Sequence, residues 1–151
     1  MAEHIPIFRG FHIKLHDGTI ENIFKNNPRC PIDTDKVIHT ISDSWFYARF
    51  DIYARSQTLI CTTDIVQAIK YKSEDGSLGK ITLIDPYKVI YSENVRDFLE
   101  CSHEIDNPSE EKVHECLQSK NFQCVSDINS ISSSFKGEIM IDCKEYYLHN
   151  I

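Results

Sequence analysis

An arginine near one end of the chain, two threonines in its middle and a glutamate near the other end are the side chains best suited to chemistry. Glu138 heads the apolar run Gly137-Glu138-Ile139-Met140-Ile141, where its carboxylate would stand at the mouth of a buried strand. A carboxylate so placed stabilises positive charge that develops on a reacting carbon. Arg9 lies in Phe8-Arg9-Gly10, and a guanidinium offers a rigid fork of donors to a phosphate. Gly10 has no Cβ, so its backbone can approach a neighbour or a ligand closely. Thr62 and Thr63 end the apolar stretch Leu59-Ile60-Cys61, and hydroxyls there can hold a sugar or orient the carboxylate. Each residue also has a plainer role. Arg9 can be a strand arginine paired with one of 23 acids, Thr62 and Thr63 can belong to a helix cap, and Glu138 can be a solvated strand start. Arg55-Ser56-Gln57 is a second polar cluster, equally suited to a recognition loop and to a solvated turn.

These residues need elements to carry them. Ile5 to Lys14 reads as a strand, with Pro6 setting its start. His16 to Thr19 is turn chemistry, and Asn26 to Pro31 is a second break. Asp33-Thr34-Asp35 caps a helix whose apolar stripe is Val37, Ile38, Ile41, Trp45, Phe46 and Phe50, with Trp45 as a packing residue. Ile52 to Thr62 reads as a strand. Asp64 to Tyr71 reads as a short helix, with Ile65, Ala68 and Ile69 inward. Strands follow at Lys80–Ile84 and Lys88–Ser92, then one or two helical turns within Asn94–Cys101. Ser109 followed by Glu110 and Glu111 starts a helix with Val113 and Leu117 facing the core. Val125 to Ser134 suggests a further short helix, and strands at Glu138–Cys143 and Tyr146–Leu148 close the chain. The expected fold is α+β, one mixed domain over residues 1–151 with three or four helices.

The bulk properties exclude several classes. A net charge of −7 argues against a broad nucleic-acid surface, although Arg9, Arg49, Arg55, Lys70 and Lys72 could form a local basic groove. No apolar run is long enough to span a bilayer, and Met1 to His4 lacks a secretory pattern, so the expected setting is the cytoplasm with no membrane partner. Six scattered cysteines then read as reduced thiols. Cys101, His103, His114 and Cys116 are zinc-type ligands at the wrong spacing, and no metal is expected.

The order of arginine, hydroxyl residues and glutamate resembles the arginine-serine-glutamate class of ADP-ribosyltransferases. Arg9 in FRG resembles the first-strand arginine, LICTTDIVQAIKY the strand-to-helix motif, and GEIMI the strand that starts with the catalytic glutamate. The stretch VIHTISDSWFYARFDIYARSQTLICTTD is further similar to small phage-encoded proteins of that superfamily. The resemblance implies a split β-sheet core and NAD as substrate. It implies Glu138 as the catalytic residue, Arg9 as an NAD-binding residue and Thr62 or Thr63 as support for the site; Gly10, Arg55 and Ser56, read from their own chemistry, complete the expected cofactor-binding set. The implied acceptor is a host protein or a nucleic acid in the bacterial cytoplasm. A catalytically inactive nucleotide- or protein-binding module of the same fold, serving phage–host interaction or counter-defence, is the alternative. Lys136 stands where many arginine-modifying members carry Glu or Gln, which leaves the acceptor open.

Overall fold

In the computed structural model, residues 5–31 and 34–151 are described, so Met1 to His4 and the Asp33 part of the expected helix cap lie outside them. Eight strands form one antiparallel sheet: β1 (Phe8–Gly10), β2 (Gly18–Glu21), β3 (Leu59–Thr62), β4 (Leu78–Leu83), β5 (Tyr87–Tyr91), β6 (Gln123–Val125), β7 (Glu138–Cys143) and β8 (Glu145–Asn150). Their spatial order is β2-β8-β4-β1-β3-β7-β5-β6. Four helices complete an α+β domain: α1 (Lys36–Phe50), α2 (Ile65–Tyr71), α3 (Leu99–His103) and α4 (Glu110–Lys120).

Period-two alternation sends the strand side chains into two cores. Leu59, Cys61, Ile139, Ile141 and Cys143 face one side, joined by Ile7, Ile81, Tyr146 and Leu148. Ile60, Ile90 and Met140 face the other, against Ile38 and Phe46 of α1, Val113 and Leu117 of α4, and Phe98. Phe46 is the aromatic centre of that second core, edge-on to Trp45 and Phe122. The helix ends are chemically marked. The Asp35 carboxylate accepts from Val37 N and Ile38 N, and Ser109 Oγ accepts from Lys112 N. Asp51 and Asn121 close α1 and α4 in the left-handed region, at φ 62° and 58°.

The sheet has one weak joint. Seven neighbouring pairs hold it together, and β1–β3 shares a single register pair, Phe8 with Thr62. Extending that antiparallel register would set Gly10 opposite Ile60, but the strands splay there instead. Four strands lie on each side of the joint, so the sheet is hydrogen-bonded end to end yet opens at its middle.

Several expected elements are shorter than the sequence suggests. Ladder pairing covers only Phe8–Gly10 of the expected Ile5–Lys14 strand, with Ile7 O and Phe11 N bonding just outside it. Only Leu59–Thr62 of the Ile52–Thr62 stretch is strand, because residues 51–58 are turns tied to α1. The Val125–Ser134 helix reduces to one 3-10 turn at Ile128–Ser130. Strands β2 and β6 carry no strong pattern of their own, being three or four residues at the sheet edges. On α2 only Ala68 is buried, while Ile65 and Ile69 are exposed. The cause is Gly10: a Cβ there would lie 2.3 Å from Ala68 O and 2.5 Å from Lys72 N. α2 therefore seats directly on β1 along a line only a small residue can occupy.

Candidate active site

The joint opens onto a cavity of about 240 Å³. Arg9 of β1, Thr62 of β3 and Glu138 of β7 all line it, on three neighbouring strands linked by the Phe8–Thr62 and Thr62–Glu138 pairs. Arg9 occupies the splay itself. Its Nη1 donates to the Ile60 carbonyl, which lacks its β1 partner there, while the Nε, also buried, has no partner. The guanidinium lies 5.2 Å from the Phe11 ring centre and 5.8 Å from that of Phe24.

Glu138 enters from the strand start, its backbone N–H fixed on Arg96 O at 2.9 Å. Its Oε2 accepts from Arg55 Nη1 at 2.9 Å, and both side chains are nearly sealed, 13% and 9% exposed. Burial pushes the Glu138 carboxyl above its ordinary range, Arg55 pulls it back, and the charge of Asp97 adds to the rise. Arg55 is seated over the Phe98 ring at 4.0 Å, reaches Met140 Sδ at 3.4 Å, and keeps a buried Nε without a partner.

A third guanidinium joins the wall. Arg29, in the break between Asn26 and Pro31, stacks on Phe24 at 3.8 Å and donates to Arg55 O and Thr58 O. Burial and the charges of Arg9 and Arg55 bring its pKa down to about 9. Four arginines, Arg9, Arg29, Arg55 and Arg96, thus line the cavity with only two carboxylates, Asp97 and Glu138, in a protein of net charge −7. The buried, unpartnered Nε–H groups of Arg9 and Arg55 are donors of the kind that an anionic ligand satisfies. Across the mouth, Asp97 accepts from Gln67 Nε2 (2.6 Å) and from the Tyr71 hydroxyl, which ties α2 to the loop before α3. His39 of α1 lines the cavity too, its imidazole pKa lowered chiefly by burial.

The cofactor-binding set expected from sequence divides. Arg9, Gly10, Arg55 and Thr62 line the cavity with Glu138. Thr63 does not: its fully buried hydroxyl donates to Phe135 O (2.9 Å) and accepts from Gly137 N (3.0 Å). Ser56 is likewise turned away, its hydroxyl on Asp43 Oδ2 of α1. The Thr62 hydroxyl is also engaged, donating to Gly137 O and accepting from Asp64 N, while Asp64 itself caps α2 by accepting from Val66 N. The two threonines therefore fix the approach to β7, and so the starting point of Glu138. Of the expected basic groove, Arg9 and Arg55 meet at the cavity, whereas Arg49 lies over Trp45 and Phe50. Arg29, His39 and Asp97 carry no motif; the one hint for Arg29 is its place between Pro28 and Pro31.

All six cysteines are free. Burial pushes Cys61, beside the cavity, up to about 12, which makes it a packing thiol rather than a nucleophile. Among the described residues no group of three His, Cys, Asp or Glu is arranged to hold a metal, and no helix is long and apolar enough to cross a membrane. No protein family, curated protein or solved structure matches the chain.

Proposed function

We propose that the chain is an NAD-dependent ADP-ribosyltransferase-like protein that transfers ADP-ribose to a macromolecular acceptor, a protein or a nucleic acid. The observation that supports the reading is the cavity at the sheet joint, lined by Arg9, Arg55 and Glu138, in which the buried Nε of both arginines has no partner and the Glu138 carboxylate is nearly sealed. A dinucleotide has the complementary parts: a diphosphate for Arg9 and its neighbours, and a ribose whose anomeric carbon becomes cationic beside Glu138. The cavity is smaller than the roughly 300–1,000 Å³ of pockets that enclose a drug-sized ligand. One half of the dinucleotide would therefore enter while the adenosine end stays nearer solvent.

In the step proposed, the bond between the ribose anomeric carbon and the nicotinamide nitrogen breaks. Its electron pair leaves with nicotinamide, which departs neutral. The acceptor's lone pair forms the new bond to that carbon, and the acceptor's proton passes to Glu138 or to water. Glu138 stabilises the cationic ribose between these events. Arg9 binds without reacting. A bacterial cytoplasm entered by a phage is the setting this reading proposes.

The Arg55–Glu138 ion pair favours a second reading, a nucleotide-binding module whose carboxylate is engaged by the protein itself. Wild-type protein is incubated with NAD labelled in the nicotinamide ring, with and without cell lysate, and released nicotinamide is measured beside NAD affinity. Release with NAD binding supports transfer, and binding without release under every condition supports the module. No binding at all overturns both. Arg9→Lys keeps the charge and loses the fork, so NAD affinity falls before turnover does.

A further inference from the structure

Arg55 belongs to no strand and no helix, yet its backbone and side chain are both bonded to distant elements. Asp43, on α1, accepts from the backbone N–H of both Arg55 and Ser56 at 3.0 Å through one carboxylate oxygen, and binds the Ser56 hydroxyl through the other. Arg29 donates to the Arg55 carbonyl at 2.9 Å. Thr58 Oγ1 bonds back to Ala54 O, so the turn is closed on both sides of Arg55. The side chain then runs between Phe98 and Met140 to a single charged partner, Glu138. The same residue is an unremarkable member of a polar cluster when read in sequence.

We propose that Arg55, aimed by Asp43, is a positioning residue that holds the Glu138 carboxylate ionised and oriented toward the substrate. The proposal rests on the transfer reading above for its kinetic consequence, but not for its structural one. Glu138 enters a largely sealed site, where a carboxyl left alone takes up a proton. Arg55 is the cation in direct contact with it. The other titratable and charged groups lining the site are Arg9 from β1, His12 just after it, Arg29 from the loop before α1, His39 of α1, and Asp97 and Arg96 from the loop before α3, with the Tyr71 hydroxyl and the Cys61 thiol beside them. The side-chain hydrogen bond to Glu138 comes from Arg55, and the Phe98 backbone adds a second, uncharged one.

The variants are Arg55→Gln, which removes the charge and keeps a donor, Arg55→Lys, which keeps the charge, and Asp43→Asn, which weakens the anchor from outside the cavity. Two readouts are taken on each folded variant: the titration of Glu138, followed by carbon-13 NMR of the labelled carboxyl and assigned by its loss in Glu138→Gln, and kcat and KM for NAD cleavage across pH. With Arg55→Gln the Glu138 titration moves up by about one to three units, as for loss of an adjacent opposite charge. The acid limb of kcat moves with it, and KM changes less than kcat. Arg55→Lys restores most of the titration, and Asp43→Asn shifts it in the same direction by less. An unchanged Glu138 titration in folded Arg55→Gln protein overturns the proposal, whatever the stability of the variant. If the wild-type protein proves unable to cleave NAD, the titration alone decides, so failure of the transfer reading and failure of this one are told apart. Should Arg55→Gln not fold, Asp43→Asn and Arg55→Lys carry the test, and identical Glu138 titrations in both and in wild type overturn it.

Discussion

Two places in this molecule set a carboxylate against a cation at nearly the same distance, and the carboxylates respond in opposite directions. Glu104, after α3, accepts from Lys120 of α4 at 2.8 Å, and that hydrogen bond lowers its pKa. Glu138 accepts from Arg55 at 2.9 Å, and its pKa rises. The geometry of pairing does not separate them. Solvent does: Glu104 is half exposed, whereas Glu138 and its partner are nearly closed off. Outside, pairing adds to a charge that water already stabilises, and the gain is small. Inside, removal from water outweighs a good partner. At Glu138 the contact with Arg55 and a hydrogen bond from the Phe98 backbone therefore work against burial, and such tension concentrates at functional sites.

Arg55→Met sharpens the contrast most. It leaves Glu138 buried without its cation, and a broken buried pair costs about 3–5 kcal/mol. Urea unfolding at neutral pH should show that loss, and it should shrink in acid, where Glu138 is protonated. A loss below about 1 kcal/mol would put this pair in the same class as the surface one. Thr63→Val tests the scaffold beneath the site. The shape is kept, but Gly137 N and Phe135 O lose their hydroxyl partner, at about 1–3 kcal/mol. Equal stability of the two proteins would show that the threonine does not fix the start of β7.

His39 gives a smaller effect with a definite sign. Its imidazole, ordinarily near 6.5, is lowered in the folded protein chiefly by burial. As pH falls through the ordinary value the unfolded chain takes up a proton that folded His39 refuses, so stability declines on acidification. His39→Gln should lessen the difference between urea midpoints measured at about pH 7.5 and about pH 5.5. An identical pH dependence would contradict the assignment. Lys120→Met completes the series from the exposed side. Removing the partner of Glu104 should change stability by at most about 1 kcal/mol, and less as salt is added.

What the sequence reveals of this fold depends on how locally each feature is encoded. The α1 and α4 helices show their caps and stripes in consecutive residues, and Glu138–Cys143 is a strand from its first residue to its last. The α2 contact was hidden because its burial is decided by Gly10, more than fifty positions away, rather than by its own apolar residues. β2 and β6 exist because β8 and β5 offer edges to pair with. The cavity divides in the same way. Thr62 and Glu138 stand at strand ends, and Arg9 within a short strand, that patterning can find. Arg29, His39 and Asp97 reach it through a proline-flanked break, a helix side and a loop, and no periodicity marks them. Ser56 and Arg55 are neighbours in sequence with opposite placements, separated by which of them Asp43 takes by the side chain.

The most direct test of the transfer reading is single-turnover cleavage of NAD by wild-type and Glu138→Gln protein at saturating enzyme. Gln keeps the size and one acceptor and removes the charge. Nicotinamide release should slow by roughly a hundredfold or more, as for loss of one preorganised electrostatic group, while NAD affinity stays nearly the same. Release at the wild-type rate from the Gln variant would contradict the account.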